Sequence, residues 1–140
     1  GTGQGFLNGV LQFPGVVCGL IVEPLDAWLF SQINGGNCVS LPLNKGYGWA
    51  GSINLEYIFE KLFADPAGAG YPKERAKSQA MSRQTLASIS KLSHKDFTDI
   101  LKASDPEILK AIAGSKDFMK VLADGGEKAK AVLELLGENR

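Results

Sequence analysis

SRQTLASISKL (82–92), SHKDFTDILKA (93–103), SDPEILKAIAG (104–114), SKDFMKVLADG (115–125) and GEKAKAVLELL (126–136) follow one another as units of eleven residues. Each opens on Ser or Gly, at Ser82, Ser93, Ser104, Ser115 and Gly126, all residue types preferred at helix N-caps. The fifth position runs Leu86, Phe97, Ile108, Met119 and then breaks at Lys130, while the eighth runs Ile89, Ile100, Ala111, Leu122 and Leu133. Apolar residues three apart share a helical face. An uninterrupted eleven-residue period would give one long right-handed supercoiling helix. Pro106, Gly114 and Gly125-Gly126 interrupt it: Pro106 suits a first helical turn, and the glycines suit C-terminal caps. Ser93 with Asp96 has capping-box spacing. The pattern therefore predicts four to five short helices over 82–140, each too short to be stable without packing.

Upstream the chain has another character. In the first fifty-two positions the only charged residues are Glu23, Asp26 and Lys45; residues 5–22 and 27–44 carry none. Gly15 to Val22 is β-branched, lies between Pro14 and Pro24, and reads as a buried strand. Leu25 to Ile33 predicts a short helix with Leu25, Trp28 and Leu29 on one face. Cys38 to Leu43 predicts a second strand, which Pro42 assigns to an edge. Lys45 to Gly51 is a glycine-spaced aromatic loop holding Tyr47 and Trp49. Ser52 is the expected N-cap of a helix over 53–64 with Ile53, Tyr57 and the Leu62/Phe63 pair at helical spacing. The fold class expected is mainly α with a small irregular or β-containing N-terminal part (α+β). Residues 1–65 form the charge-poor segment closed by the 53–64 helix, 66–81 a linker, and 82–140 a short-helix module.

The charge-free stretches reach the lower edge of a membrane span. Asn8, Gln12, Pro14 and the Asn34-Gly35-Gly36-Asn37 turn make them poor spans. With 15 acidic and 15 basic residues, the net charge gives no drive toward nucleic acid. The basic residues Lys73, Arg75, Lys77 and Arg83 beside Tyr71 are interrupted by Glu74 and fit a solvated linker better than a phosphate-binding patch. The chain opens on Gly1, which is compatible with a processed product or an excised segment.

Chemistry is sparse. Cys38 follows a turn, where cysteine hydrolases place nucleophiles, and His94 is the sole imidazole that could serve it. Its competing reading is a core thiol and a surface histidine. Cys18 and Cys38 are either two free, buried thiols or, in an exported protein, a bridge across a twenty-residue loop. Glu23 and Asp26 flank Pro24 and fit a solvated turn and helix start better than an acid/base pair. Gly1, Gly3, Gly5 and Gly9 resemble a phosphate loop, but that motif follows a strand, and this sequence has none ahead of Gly1. One His and two widely spaced Cys predict no metal site, and nothing predicts a cofactor.

The expectation from these residues is a non-enzymatic structural or assembly protein acting through protein–protein contacts, with other subunits or copies of itself as partners. Its apolar part would be buried in a larger complex or in membrane contact through residues 5–44, in an envelope, secreted or virion setting. The alternatives are a small secreted cysteine hydrolase using Cys38 and His94, and a membrane-inserting protein.

Overall fold

The structure, a computed structural model, describes residues 1–44 and 48–137. The chain is mainly α-helical with one small parallel sheet near its N-terminus. It divides into two compact units, Gly1–His94 and Lys95–Arg140.

The first unit begins with α1 (Gln4–Val10), then β1 (Cys18–Leu20), α2 (Pro24–Leu29) and β2 (Cys38–Ser40). β1 and β2 are parallel, with Cys18 opposite Cys38, Gly19 opposite Val39 and Leu20 opposite Ser40. Parallel neighbours require a crossover of a dozen or more residues, and α2 supplies it. Pro24 occupies the first helical turn, where its missing N–H costs nothing. The Asp26 carboxylate accepts from Val22 N at 3.1 Å, fixing the turn from strand into helix. The helix expected to reach Ile33 does so in two parts: beyond Leu29 it widens into a π-helical turn, Phe30–Asn34, which ends at Gly35 in the left-handed region. α3 (Gly51–Leu62) then packs on α2.

The core of this unit is Ile21, Ala27 and Ile58, with Phe30, Val39, Leu41 and Leu62 packed against it. Part of the apolar N-terminal sequence is thus the interior of a β-α-β unit capped by α3, while Phe6, Leu11, Val22, Leu25 and Leu43 stay exposed. Two expectations for α3 are corrected. Its N-cap is Ala50, held at φ 63°, so Ser52 is the second residue of the helix. Its buried face carries Ile58, whereas Ile53, Tyr57 and Phe63 are exposed.

A 3₁₀ turn (Lys73–Arg75) leads into α4 (Ala76–Ser93). The segment before α4 is anchored by side-chain amide and guanidinium groups. The Gln79 amide accepts from Tyr71 N at 3.0 Å and donates to Tyr71 O at 2.6 Å. Arg83 donates to Ile33 O at 2.8 Å and to Gly68 O at 2.9 Å. Charge-assisted bonds of this kind are stronger than neutral ones, so Arg83 ties α4 to the π-helical turn. Trp28 Nε1 donates to Asp65 at 2.9 Å, and its ring meets Tyr71 edge-on at 4.9 Å.

The second unit contains α5 (Phe97–Lys102), α6 (Pro106–Ala113), α7 (Lys116–Ala123) and α8 (Glu127–Gly137). Its core is Leu101, Leu109, Val132 and Leu136, joined by Ile112, Met119 and Leu122. Short helices do follow the repeat units here, but the repeated serines are not a uniform set of caps. Ser82 lies within α4 and Ser93 ends it. The caps are Asp96, Asp105 and Ser115, and the Asp96 and Asp105 carboxylates accept from Thr98 N and Glu107 N. The expected Ser93–Asp96 box does not form, because Ser93 ends α4 and Asp96 is itself the N-cap of α5. The apolar columns also drift: Ile108 and Ala111 are exposed, whereas Leu109 is buried. Each helix turns a different register position toward the core.

Asp96 is held below the ordinary aspartate pKa, first by the Thr98 hydroxyl bond, then by the Thr98 N–H, with Lys128 and Lys102 adding attraction. A lowered folded-state pKa means the stabilisation is present above the ordinary value, about 4, and is lost as pH falls through the folded value. Asp96→Asn should weaken the second unit at neutral pH and flatten the loss of helicity on acid titration. Far-UV ellipticity of both proteins from neutral to acid checks this; identical acid limbs would exclude a role for the Asp96 charge.

Candidate functional site

In open parallel sheets, ligands bind beyond the carboxyl ends of the strands. Three segments of the first unit converge there. Ser40, the last residue of β2, donates from its buried hydroxyl to Gly3 O at 2.6 Å. Asn44 N donates to Gly1 O at 3.2 Å. Gly3 has φ 78°, and a Cβ there would lie 2.8 Å from Leu20 Cδ1 and 3.1 Å from Ser40 Oγ, so glycine is required by both conformation and space. The Gly1-Thr2-Gly3 stretch is thereby fastened against the strand ends. Thr2 is exposed, and its hydroxyl oxygen accepts from Gln4 N at 3.4 Å.

At the end of β1, Ile21 N donates to Ser40 O at 2.9 Å, and Asn54 from α3 donates to Val22 O at 3.1 Å. Asp26 is committed to Val22 N. Glu23, the residue before α2, is exposed, and its carboxylate makes no hydrogen bond or ion pair among the described residues. Glu23 is therefore a carboxylate with free lone pairs on the turn from β1 into α2, which the bonds to Val22 N and Val22 O hold in place. That arrangement can move a proton to or from a bound ligand.

A cleft of about 360 Å³ lies elsewhere in the same unit, at the amino end of β2. Ser31, Asn37, Cys38, Phe59, Phe63 and Asp65 contribute to its walls. The Asn37 amide is already used, accepting from Val17 N at 2.9 Å and donating to Gly15 O at 2.9 Å. The buried Ser31 hydroxyl has no partner among the described residues.

Cys38 sits in β2 beside Cys18, and both thiols are free. His94 follows the C-terminal end of α4, not a helix start; its Nδ1 lies 3.1 Å from Ser90 O and 3.1 Å from Ser93 Oγ. Among the described residues no hydrogen bond joins His94 to Cys38. Arg83 points inward to two carbonyls, away from any patch with Lys73, Arg75 and Lys77. Trp49 is almost wholly exposed, and Tyr47 lies outside the described residues. Among the described residues no three of His, Cys, Asp and Glu gather as metal ligands, and no helix is long and apolar enough to cross a membrane.

No protein-family model and no curated protein matches this chain. Two solved structures are similar to it across nearly its whole length. One is a 4-deoxy-L-threo-5-hexosulose-uronate ketol-isomerase complexed with a tartrate: 39% identity, TM-score 0.94, covering 99% of this chain and 65% of that one. The other is the ribose-5-phosphate isomerase LacAB_rpiB from Vibrio parahaemolyticus: 41% identity, TM-score 0.93, covering 100% of this chain and 66% of that one. This chain thus spans just under two thirds of the length of each.

Both neighbours are sugar isomerases, which overturns the expected non-enzymatic assembly protein together with its hydrolase and membrane-inserting alternatives. The virion and secretion setting inferred from the charge-poor segment loses its support as well. The charge-poor segment supplies two strands, their crossover helix and core residues to one another. Spacing alone pairs Glu23 with Asp26, whereas Asp26 is engaged by Val22 N. The available signal was two short apolar strands separated by one helix, the spacing of a parallel β-α-β unit, which marks strand carboxyl ends as the place to look.

Proposed function

We propose that this chain carries part of the active site of an aldose–ketose isomerase acting on a small sugar or sugar acid. The observation that carries the reading is the likeness to two sugar isomerases at 39% and 41% identity over essentially all of the chain. The strand-end geometry supports it. Interconverting an aldose and a ketose requires removing a proton from the carbon next to the carbonyl and returning one to the former carbonyl carbon. It also requires shuttling a proton between the two oxygens. A single exposed carboxylate can perform the carbon-to-carbon transfer if a rigid polar layer holds the sugar's oxygens. Glu23 is the proton-transfer group in this reading, and Thr2 with the Gly1–Gly3 backbone is the layer that orients the sugar.

The test is incubation of the full-length protein in D₂O with ribose 5-phosphate and, separately, 4-deoxy-L-threo-5-hexosulose uronate, followed by proton NMR. The expected result is conversion of one of them, with deuterium entering at the carbon that gains the proton. A folded protein that neither converts nor exchanges either sugar would overturn the reading for both substrate types.

A further inference from the structure

The thiols of Cys18 and Cys38 have no part in the proposed isomerisation, yet the fold brings them side by side. They are register partners on adjacent parallel strands, so their side chains project from the same face of the sheet. Neighbouring strands lie about 4.8 Å apart, inside the roughly 4.4–6.8 Å window of Cα separations that a disulfide spans. The Cys18 thiol donates to Gly19 O at 3.9 Å, and Cys38 is close enough to perturb it. Both are half-buried, and Cys38 faces the cleft, so a small reagent has a route to it.

We propose that Cys18 and Cys38 form a reversible redox pair, oxidised by a hydroperoxide to an intramolecular disulfide that locks β1 to β2 beside the cleft. Cys38 is the entry point because it opens on the cleft. Its thiolate attacks the terminal peroxide oxygen, the O–O bond breaks, and an alcohol (or water, from hydrogen peroxide) leaves with the Cys38 proton. Cys38 is then a sulfenic acid. The Cys18 sulfur attacks it, the S–S bond forms, the S–O bond breaks, and hydroxide leaves with the Cys18 proton as water. Two thiols lose two electrons and the peroxide gains two. Burial, with the hydrogen bond and charge of Cys38 adding to it, pushes the Cys18 thiol up to about 11. Cys18 is therefore mostly thiol at neutral pH, so oxidation does not begin there. The closed loop would contain α2 and the π-helical turn, so oxidation would stiffen the Ser31–Asn37 wall of the cleft.

The experiment is mild hydrogen peroxide treatment of the native full-length chain, then alkylation, proteolysis and mass mapping. The expected result is a linked peptide pair containing Cys18 and Cys38, a loss of two hydrogens in the intact mass, and full return of both thiols with dithiothreitol. The urea midpoint of the oxidised protein should rise, and the rise should be absent in Cys18→Ser. Three results would overturn the proposal: both thiols still alkylating after oxidation, Cys38 accumulating as sulfinic or sulfonic acid, or disulfides found only between chains. The mapping needs no variant, and it reads the pair independently of whether the isomerase assay succeeds.

Discussion

Gly36→Ala is expected to destabilise the first unit by about 3 kcal/mol, the upper part of the usual range for overpacking a core. The Phe30 ring lies across both strands, over Gly19 of β1 and over Gly36 just before β2. A Cβ on Gly36 would sit 2.5 Å from Phe30 Cε1 and 2.9 Å from Val17 O. The ring cannot retreat toward β1, because a Cβ on Gly19 would itself lie 2.7 Å from Phe30 Cδ2, so the ring already fills that space. Nor can the backbone give easily, since Asn37 N and Cys38 N both donate to Val17 O at 3.1 and 3.2 Å. Against a typical total of roughly 5–15 kcal/mol, such a loss would be visible as a large fall in urea midpoint. Combining Gly36→Ala with Phe30→Leu should recover part of the loss, because the substitutions share one space and cannot be additive. A Gly36→Ala midpoint within about 0.5 kcal/mol of the parent, the range of surface changes, would mean the ring does not fill the gap between the two glycines.

Glu23→Gln should lower kcat by about 10²–10⁴-fold, the usual share of a general base, with KM nearly unchanged. The substitution keeps size and shape but removes the charge and the ability to accept a proton. Glu23 contributes no hydrogen bond to the fold among the described residues, so stability should hold. Solvent-deuterium incorporation into the sugar should fall in step with turnover. A kcat within about threefold of wild type, far short of a lost base, would remove Glu23 from the mechanism, and the search would move to other residues at the strand ends.

The helical second unit was open to sequence reading because its signals are local. Pro106 at a first turn, Gly114 at a helix end and the Ser/Asp-rich starts each act within a few residues of themselves. What drifted was the core face: the eleven-residue period suggested shared apolar columns, yet Leu101, Leu109, Val132 and Leu136 occupy different positions of it. Helices joined at varying angles bury whichever residues meet, and no single-helix pattern encodes those meetings. In the first unit the strands were recognisable as β-branched runs, but their pairing was not. Gly36 and Asn37 read as a turn, and only the fold shows one as the slot for Phe30 and the other as a bridge to Gly15 and Val17.

By itself the sequence determined the division between a charge-poor start and a helical remainder, the short helices of the second unit, and the small β content. Those follow from backbone preferences, caps and hydrophobic spacing, which act over one or two turns. Only the tertiary structure decided that residues twenty apart, Cys18 and Cys38, stand opposite each other, and that Gly3 lies under Ser40. It also decided that Asp26 is taken up by Val22 N while the Glu23 carboxylate makes no hydrogen bond among the described residues. Each depends on which segments become neighbours, and that is fixed by long-range packing around Ile21, Ala27 and Ile58.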